Sequence, residues 1–271
     1  MFVEAISAGV TAYDHRAEIA GAFASIIFLI RQGLVKVTVF GAGGTGKSTL
    51  GRKLSGEAST RGVYHVSPNP EYSKLEEVPF GKITVFPGQD RRRELHVAEF
   101  NKRLGANVRL LIHVVAYGYH SLDTPSIVDH KSYVQGDDPA SFMIRHKKQS
   151  LLEEIKVLDE VAPLIIGAPR DSVIRLVTLV TKQDLWWHDR QEVRDHYTSD
   201  GAYSKSVAKI AAVRGNHFEH TYFSMSIEQL NLITDANEVL AKTAAGYDDR
   251  IQNANVDAFV RHFHTICGVS P

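Results

Sequence analysis

The chain has 271 residues, of which 44% are apolar and 23% charged, and its formal net charge is +0. That length gives one large domain, or a domain with additions, and a sizeable core. The even charge carries no footprint for nucleic acid or an anionic membrane, and the single cysteine, Cys267, excludes an internal disulfide framework and suits a reducing cytoplasm.

Residues 1–33 precede the first core strand. The N-terminus lacks a basic stretch and holds Glu4, so no secretory leader is expected. Asp14 is placed to cap a helix whose stripe is Ile19, Phe23, Ile26, Ile27 and Ile30, and Gly33 ends it. The uncharged run Ile19–Ile30 is too short to span a bilayer. This segment is expected to pack on a main domain of residues 34–271 as an N-terminal extension. A dimerising helix, and so a homo-oligomer, is the alternative. A membrane-surface helix is less favoured, because the polar face is short and not strongly basic.

Val35–Leu50 reads VKVTVFGAGGTGKSTL. Alternating Val35, Val37 and Val39 make a buried strand, which breaks into Gly41-Ala42-Gly43-Gly44-Thr45-Gly46-Lys47-Ser48. That run fits G-x-x-x-x-G-K-[ST], with a strand before it and a helix after it. Backbone N–H groups of Gly41 to Thr49 would wrap a phosphate chain, aided by the dipole of the helix that starts there. Lys47 would reach the β- and γ-phosphates, and the Ser48 hydroxyl would ligate Mg²⁺.

Downstream, the first helix ends at Ser55-Gly56 and a loop covers Glu57–Pro70. Tyr72–Phe80 and Lys82–Phe86 read as two strands joined at Gly81. The second runs into Pro87-Gly88-Gln89-Asp90, and a helix is expected over Arg91–Leu104. Arg91–Arg93 stand at its start, where three positive charges sit poorly against the dipole and favour a negative neighbour. Val108–Tyr117 is a near-continuous apolar strand. A polar insertion near 118–138 leads to a helix with Asp138 as N-cap and Pro139 at N1. That helix is expected to run to Val161, to turn Phe142, Leu151, Leu152, Ile155, Leu158 and Val161 inward, and to be stopped by Pro163. Val173–Val180 is a further buried strand ending in Thr181-Lys182-Gln183-Asp184. Helical stretches over Glu192–Val213 break near Asp200-Gly201. Thr221–Met225 is the last sheet strand, a hairpin insertion lies near 229–243, and Asp248 caps a terminal helix. Strands alternating with helices define an α/β fold: a doubly wound, mostly parallel sheet with helices on both faces and ligands at the carboxyl ends of its strands. The 13 histidines include the pairs His217/His220 and His262/His264, but no Cys or carboxylate set joins them at ligand spacing, so surface or capping roles are expected.

Thr181-Lys182-Gln183-Asp184 resembles the [NT]KxD base-reading motif of the Ras-like GTPase superfamily. With the phosphate loop, the chain is similar over residues 35–266 to Ras-like and Arf-like P-loop small GTPases. The resemblance implies that Asp184 accepts the N1–H and N2–H₂ of guanine, that Thr181 and Lys182 frame the base, and that the ligands are GTP or GDP with Mg²⁺. Pro87-Gly88-Gln89-Asp90 looks like the family's DxxGQ segment. By that match Gly88 donates its N–H to the γ-phosphate and Gln89 orients the attacking water. Ser224-Met225 stands where the family has a base-contacting Ser-Ala, with Ser226 in an adjacent register. Thr60 is the candidate switch threonine for Mg²⁺.

One departure stands out. The family's aspartate of DxxGQ is replaced by Val85, which can accept nothing. Mg²⁺ would then rest on Ser48, the phosphates, water and the switch loop, and nucleotide retention should depend on it less than in a typical relative. The reading that follows is a cytoplasmic guanine-nucleotide-binding protein that hydrolyses GTP slowly, with Lys47 and Gln89 in catalytic roles, and acts as a switch for a protein effector or activator. A degenerate relative that binds nucleotide without turnover is the alternative. A phosphoryl-transferring kinase is disfavoured, since no arginine-rich lid is evident and the TKQD run argues against it.

Overall fold

A computed structural model of the chain describes residues 36–57, 69–76, 78, 81–88, 98–100, 110–120, 122, 125–170, 173–199 and 201–267. The expected helix of residues 1–33, Thr60, Gln89, Asp90, Arg91–Arg93 and most of the helix expected over 91–104 lie outside these. Residues 98–100 are helical.

The elements in chain order are β1 (Lys36–Phe40), α1 (Lys47–Leu54), β2 (Glu71–Lys74), β3 (Lys82–Val85), β4 (Leu110–Val115), α2 (Pro139–Gly167), β5 (Ile174–Val180), α3 (Gln183–Trp186), α4 (Arg190–Thr198), α5 (Ala202–Arg214), β6 (Phe218–Ser224), β7 (Leu232–Ile233), β8 (Val239–Ala241) and α6 (Asp249–Cys267). Six strands form one sheet in the order β2-β3-β1-β4-β5-β6, and β7 and β8 form a separate hairpin. Every pairing in the large sheet is parallel except β2 with β3. The doubly wound, mostly parallel α/β fold is therefore present, with an antiparallel edge at β2 among the described residues.

Strands buried on both faces explain the apolar runs: all six residues of β4 are buried. One face packs Met143, Leu158 and Ile165 of α2 with Tyr203 and Ile210 of α5. The other packs Leu50 and Leu54 of α1 with Phe259 and Phe263 of α6. Each such large apolar side chain contributes about 1.5–3 kcal/mol on full burial. Helix starts follow the sequence: the Asp138 carboxylate accepts from Ser141 N at 2.7 Å, and that of Asp248 accepts from Arg250 N and Ile251 N at 3.0 Å each.

Three expectations need correction. First, α2 does not stop at Val161; it continues through Pro163 to Gly167. Proline in a helix interior costs about 3 kcal/mol. Ile165, fully buried, offsets part of that cost. The Arg214 guanidinium closes the helix end, donating to Ile165 O at 3.0 Å, Ala168 O at 2.7 Å and Pro169 O at 3.1 Å. Second, Leu152 faces solvent at 60% exposure, while Phe142 and Leu158 are buried as expected. Third, of the strand expected over Tyr72–Phe80 the described residues are extended at Glu71–Lys74 and not at 75, 76 and 78, where Leu75 and Val78 are buried, while 77, 79 and 80 lie outside the described residues.

Among the described residues, burial depresses His146, His196, His220 and His262, the first and third of them most clearly. His146 falls to about 4 through burial and the nearby His120 and His130. His220, which shares a 2.9 Å hydrogen bond with Thr178 Oγ1, falls to about 4 through burial. A depressed folded value means the unfolded chain binds protons first. Their contribution is full above the ordinary value of 6.5 and is lost as pH falls toward 4. The unfolding free energy is therefore expected to drop between pH 6.5 and pH 4. Urea midpoints at intervals across that window check it, and a flat profile would contradict it. Among the described residues, no group of three or more His, Cys, Asp or Glu side chains could hold a metal ion. Among the same residues, no helix is long and apolar enough to cross a membrane.

Candidate phosphate- and base-binding site

The loop between β1 and α1 is fixed from several sides. Gly44 and Gly46 take φ of 71° and 91°. Gly41 has φ 147°, and a Cβ there would stand 2.2 Å from Val114 O. No L side chain fits that position. Thr45 Oγ1 donates to Ala42 O at 3.1 Å, and Lys47 Nζ donates to the same carbonyl at 2.5 Å. Gly88, just past β3, closes on the loop so tightly that a Cβ would lie 2.4 Å from Lys47 Nζ and 2.6 Å from Ala42 O. The sequence-derived Gly88 and Lys47 are thus brought together, and Gly43, Gly46 and Thr49 belong to the same loop and helix start. Ser48 Oγ donates to Glu71 Oε1 at 3.2 Å. A hydroxyl and a carboxylate at the start of α1, beside a notch without Cβ atoms, suit a Mg²⁺–phosphate group, since Mg²⁺ takes oxygen ligands and usually keeps phosphate among them.

The carboxyl end of β5 is tied to this loop. Thr181 Oγ1 lies 2.7 Å from Thr45 O and 3.0 Å from Val115 O, so one hydroxyl joins the phosphate loop, β4 and β5. Thr181 is therefore a tether, with its hydroxyl proton engaged by the protein. Lys182 adopts φ 56° and donates Nζ to Tyr119 O at 2.6 Å. Burial draws its ammonium down to about 8 against the opposing pull of Asp184. Gln183 is held by Tyr247 OH at 3.2 Å and Asn255 Nδ2 at 2.7 Å.

Asp184 is 1% exposed, and burial raises its pKa although several hydrogen bonds oppose the rise. Its Oδ1 accepts from Ser226 Oγ at 2.5 Å. Its Oδ2 lies 3.3 Å from Leu230 N and 3.4 Å from Thr243 Oγ1. The structure thus brings Ser226, rather than Ser224 or Met225, to the aspartate. Ser224 accepts from Gln183 Nε2 at 2.9 Å, and Met225 is buried, its N–H bonded to Val180 O at 3.0 Å. Sequence reading had Ser226 only as a neighbouring register, and it missed Glu71, Leu230 and Thr243. The signal for Glu71 was weak, because cross-strand register decides which residue faces Ser48.

The stretch 125–127 and the β7–β8 hairpin meet each other. Glu238 of the hairpin accepts from Ser126 Oγ at 3.1 Å and Ile127 N at 2.9 Å, and Ala236 N donates to Pro125 O at 2.9 Å.

Strand order and phosphate loop define a P-loop type of α/β domain. No protein-family model and no curated protein matches the chain. Among solved structures, the chain is similar to the crystal structure of an NFeoB variant from S. thermophilus bound to GDP and AlF₄⁻, at 11% identity and a TM-score of 0.40, over 88% of this chain. It spans 65% of the length of that NFeoB chain. It is also similar to the Arl6 (BBS3) small GTPase from Trypanosoma brucei with bound GppNp, at 14% identity and a TM-score of 0.36, covering 87% of this chain and 99% of that one. Both superpositions are loose.

Proposed function

We propose that the chain is a cytoplasmic guanine-nucleotide-binding protein that hydrolyses GTP to GDP slowly and switches a protein effector or activator. The observation that carries this reading is the Thr181 tie, which sets Asp184 at a fixed reach from the phosphate loop. The loop amides and Lys47 would take the phosphates, with Lys47 Nζ leaving Ala42 O for them. The Gly88 N–H would meet the γ-phosphate. Gln89, outside the described residues, would orient the water whose oxygen adds to γ-phosphorus as the bond to the bridging oxygen breaks, giving GDP and inorganic phosphate. Ser48, with Thr60 as the second candidate ligand, would hold Mg²⁺, whose charge offsets that on the phosphates.

At the other end, Asp184 would read guanine. Its two Oδ2 contacts are long and yield to a base edge, so the hairpin edge at Leu230 and Thr243 gives way on binding. Binding without turnover is the second reading. Val85, a core valine where the family carries a carboxylate, favours it.

Asp184→Asn replaces an acceptor oxygen with a donor nitrogen. The variant is expected to lose GTP affinity and to gain affinity for xanthosine triphosphate relative to GTP, because mispaired buried polar groups discriminate strongly. Competition against labelled GTP measures both. If ATP displaces labelled GTP from the unmutated protein as well as GTP does, the guanine reading is wrong. Nucleotide released on denaturation, and GDP formed from GTP with Mg²⁺, separate turnover from mere binding.

A further inference from the structure

We propose that Glu71 supplies the carboxylate that orients Mg²⁺ beside Ser48, taking over from β2 the place that Val85 leaves empty on β3. This rests on the nucleotide reading above. Glu71 and Val85 are directly paired across the antiparallel β2–β3 ladder. Residues directly opposed in such a ladder have Cβ atoms about 4.5–5.5 Å apart and point to the same face. That face is the one carrying α1: a Cβ added at Gly51 would meet Val85 Cγ2 at 2.8 Å. A carboxylate moved from the Val85 position to its cross-strand partner therefore stays on the metal side of the sheet. The longer glutamate side chain covers the extra strand spacing. It has covered it in the structure, since Ser48 Oγ donates to Glu71 Oε1 at 3.2 Å. Val85 itself is buried among apolar neighbours and offers no ligand. The weak Mg²⁺ dependence expected from the sequence assumed that no carboxylate stood within reach. Glu71 removes that assumption.

The plainer role for Glu71 is to place a negative charge near the start of α1, which has no acidic residue in its first turn. That role predicts a small loss of stability on substitution and no metal-specific effect. The two roles separate on a readout that needs no catalysis. The full chain is loaded with a fluorescent GDP analogue, and its release rate is followed as free Mg²⁺ is raised from none, with EDTA, to millimolar. In the unmutated protein Mg²⁺ is expected to slow release. In Glu71→Gln the Mg²⁺ concentration for half the effect should rise about 10–100-fold, the range for residues that orient metal-bound groups. Release in EDTA should be the same in both. Free Mn²⁺ measured by EPR over the GDP complex should show the matching loss of affinity. Thermal denaturation reports the fold of the variant, and Glu71→Asp, which keeps the charge, should fall between the two. A protein that binds the analogue but shows the same Mg²⁺ response with and without Glu71→Gln overturns this inference alone. Release that ignores Mg²⁺ in the unmutated protein overturns it too. An unmutated protein that retains no guanine nucleotide overturns the nucleotide reading, and this inference falls with it.

Discussion

Glu154→Ala is expected to destabilise the fold by about 3–5 kcal/mol, the cost of removing one partner from a buried charged hydrogen-bonded set. Glu154 is fully buried on α2. Its Oε1 accepts from Ala116 N at 2.9 Å, Gly118 N at 3.3 Å and His120 Nε2 at 2.9 Å, and its Oε2 accepts from Tyr197 OH at 2.5 Å. Burial alone would raise its pKa. The bonds from His120, Tyr197 and Ala116 outweigh burial and hold the carboxyl below its usual range. The sign follows: the contribution is full above the unfolded value and is lost as pH falls through the folded one. Alanine would leave two backbone amides, the His120 ring nitrogen and the Tyr197 hydroxyl without the carboxylate they now bond. Net stabilities are about 5–15 kcal/mol, so the loss is a large part of the whole. It should also reach the site, because the loop held by Glu154 carries Tyr119, whose carbonyl holds Lys182. Urea unfolding reads the loss, and Glu154→Gln, which keeps an acceptor oxygen for the amides, should cost less. A drop under about 1 kcal/mol would mean that the network contributes no more than an ordinary hydrogen bond.

Lys47→Ala should weaken nucleotide binding by about 1.5–3 kcal/mol, the value of hydrogen bonds to charged groups. At 1.4 kcal/mol per decade that is a loss of about tenfold to more than a hundredfold. The fold should survive. Ala42 O, which accepts from Lys47 Nζ, also accepts from Thr45 Oγ1, so removing the lysine leaves that buried carbonyl partnered. Titration calorimetry with GTP measures the change, and an affinity equal to that of the unmutated protein would remove the phosphate-loop assignment.

Much of this architecture is legible in the sequence because its causes are local. A β-branched run followed by a glycine loop and Lys-Ser points to a strand, a loop and a helix, and β1 and α1 lie there. Asp138-Pro139 and Asp248 mark helix starts because capping is settled within one turn. What escapes the sequence is decided between segments. Pro163 argues for a helix end, and the arginine that overrides it arrives fifty-one residues later, at Arg214. Ser224 ends β6 and Ser226 lies two residues beyond it, and only the folded strand end shows that Ser226 is the one that meets Asp184. Glu71 is one polar residue in an alternating edge strand. Its meaning depends on its being opposite Val85, and register is set by pairing rather than composition.

The Thr181 hydroxyl works as a ruler. Thr45 and Thr181 are separated by 136 positions in the chain, yet they are joined by a 2.7 Å bond whose donor also reaches β4. The span between the glycine loop and the carboxyl end of β5, the two parts of the proposed site, is thus set when the chain folds. A two-ended ligand of matching length would find the spacing between the ends preset, although Lys47 Nζ and the hairpin edge still have to move to admit it. On the proposed nucleotide reading, ligands one phosphate or one ring off that span would gain no such advantage, and the hydroxyl would select by length as well as by chemistry.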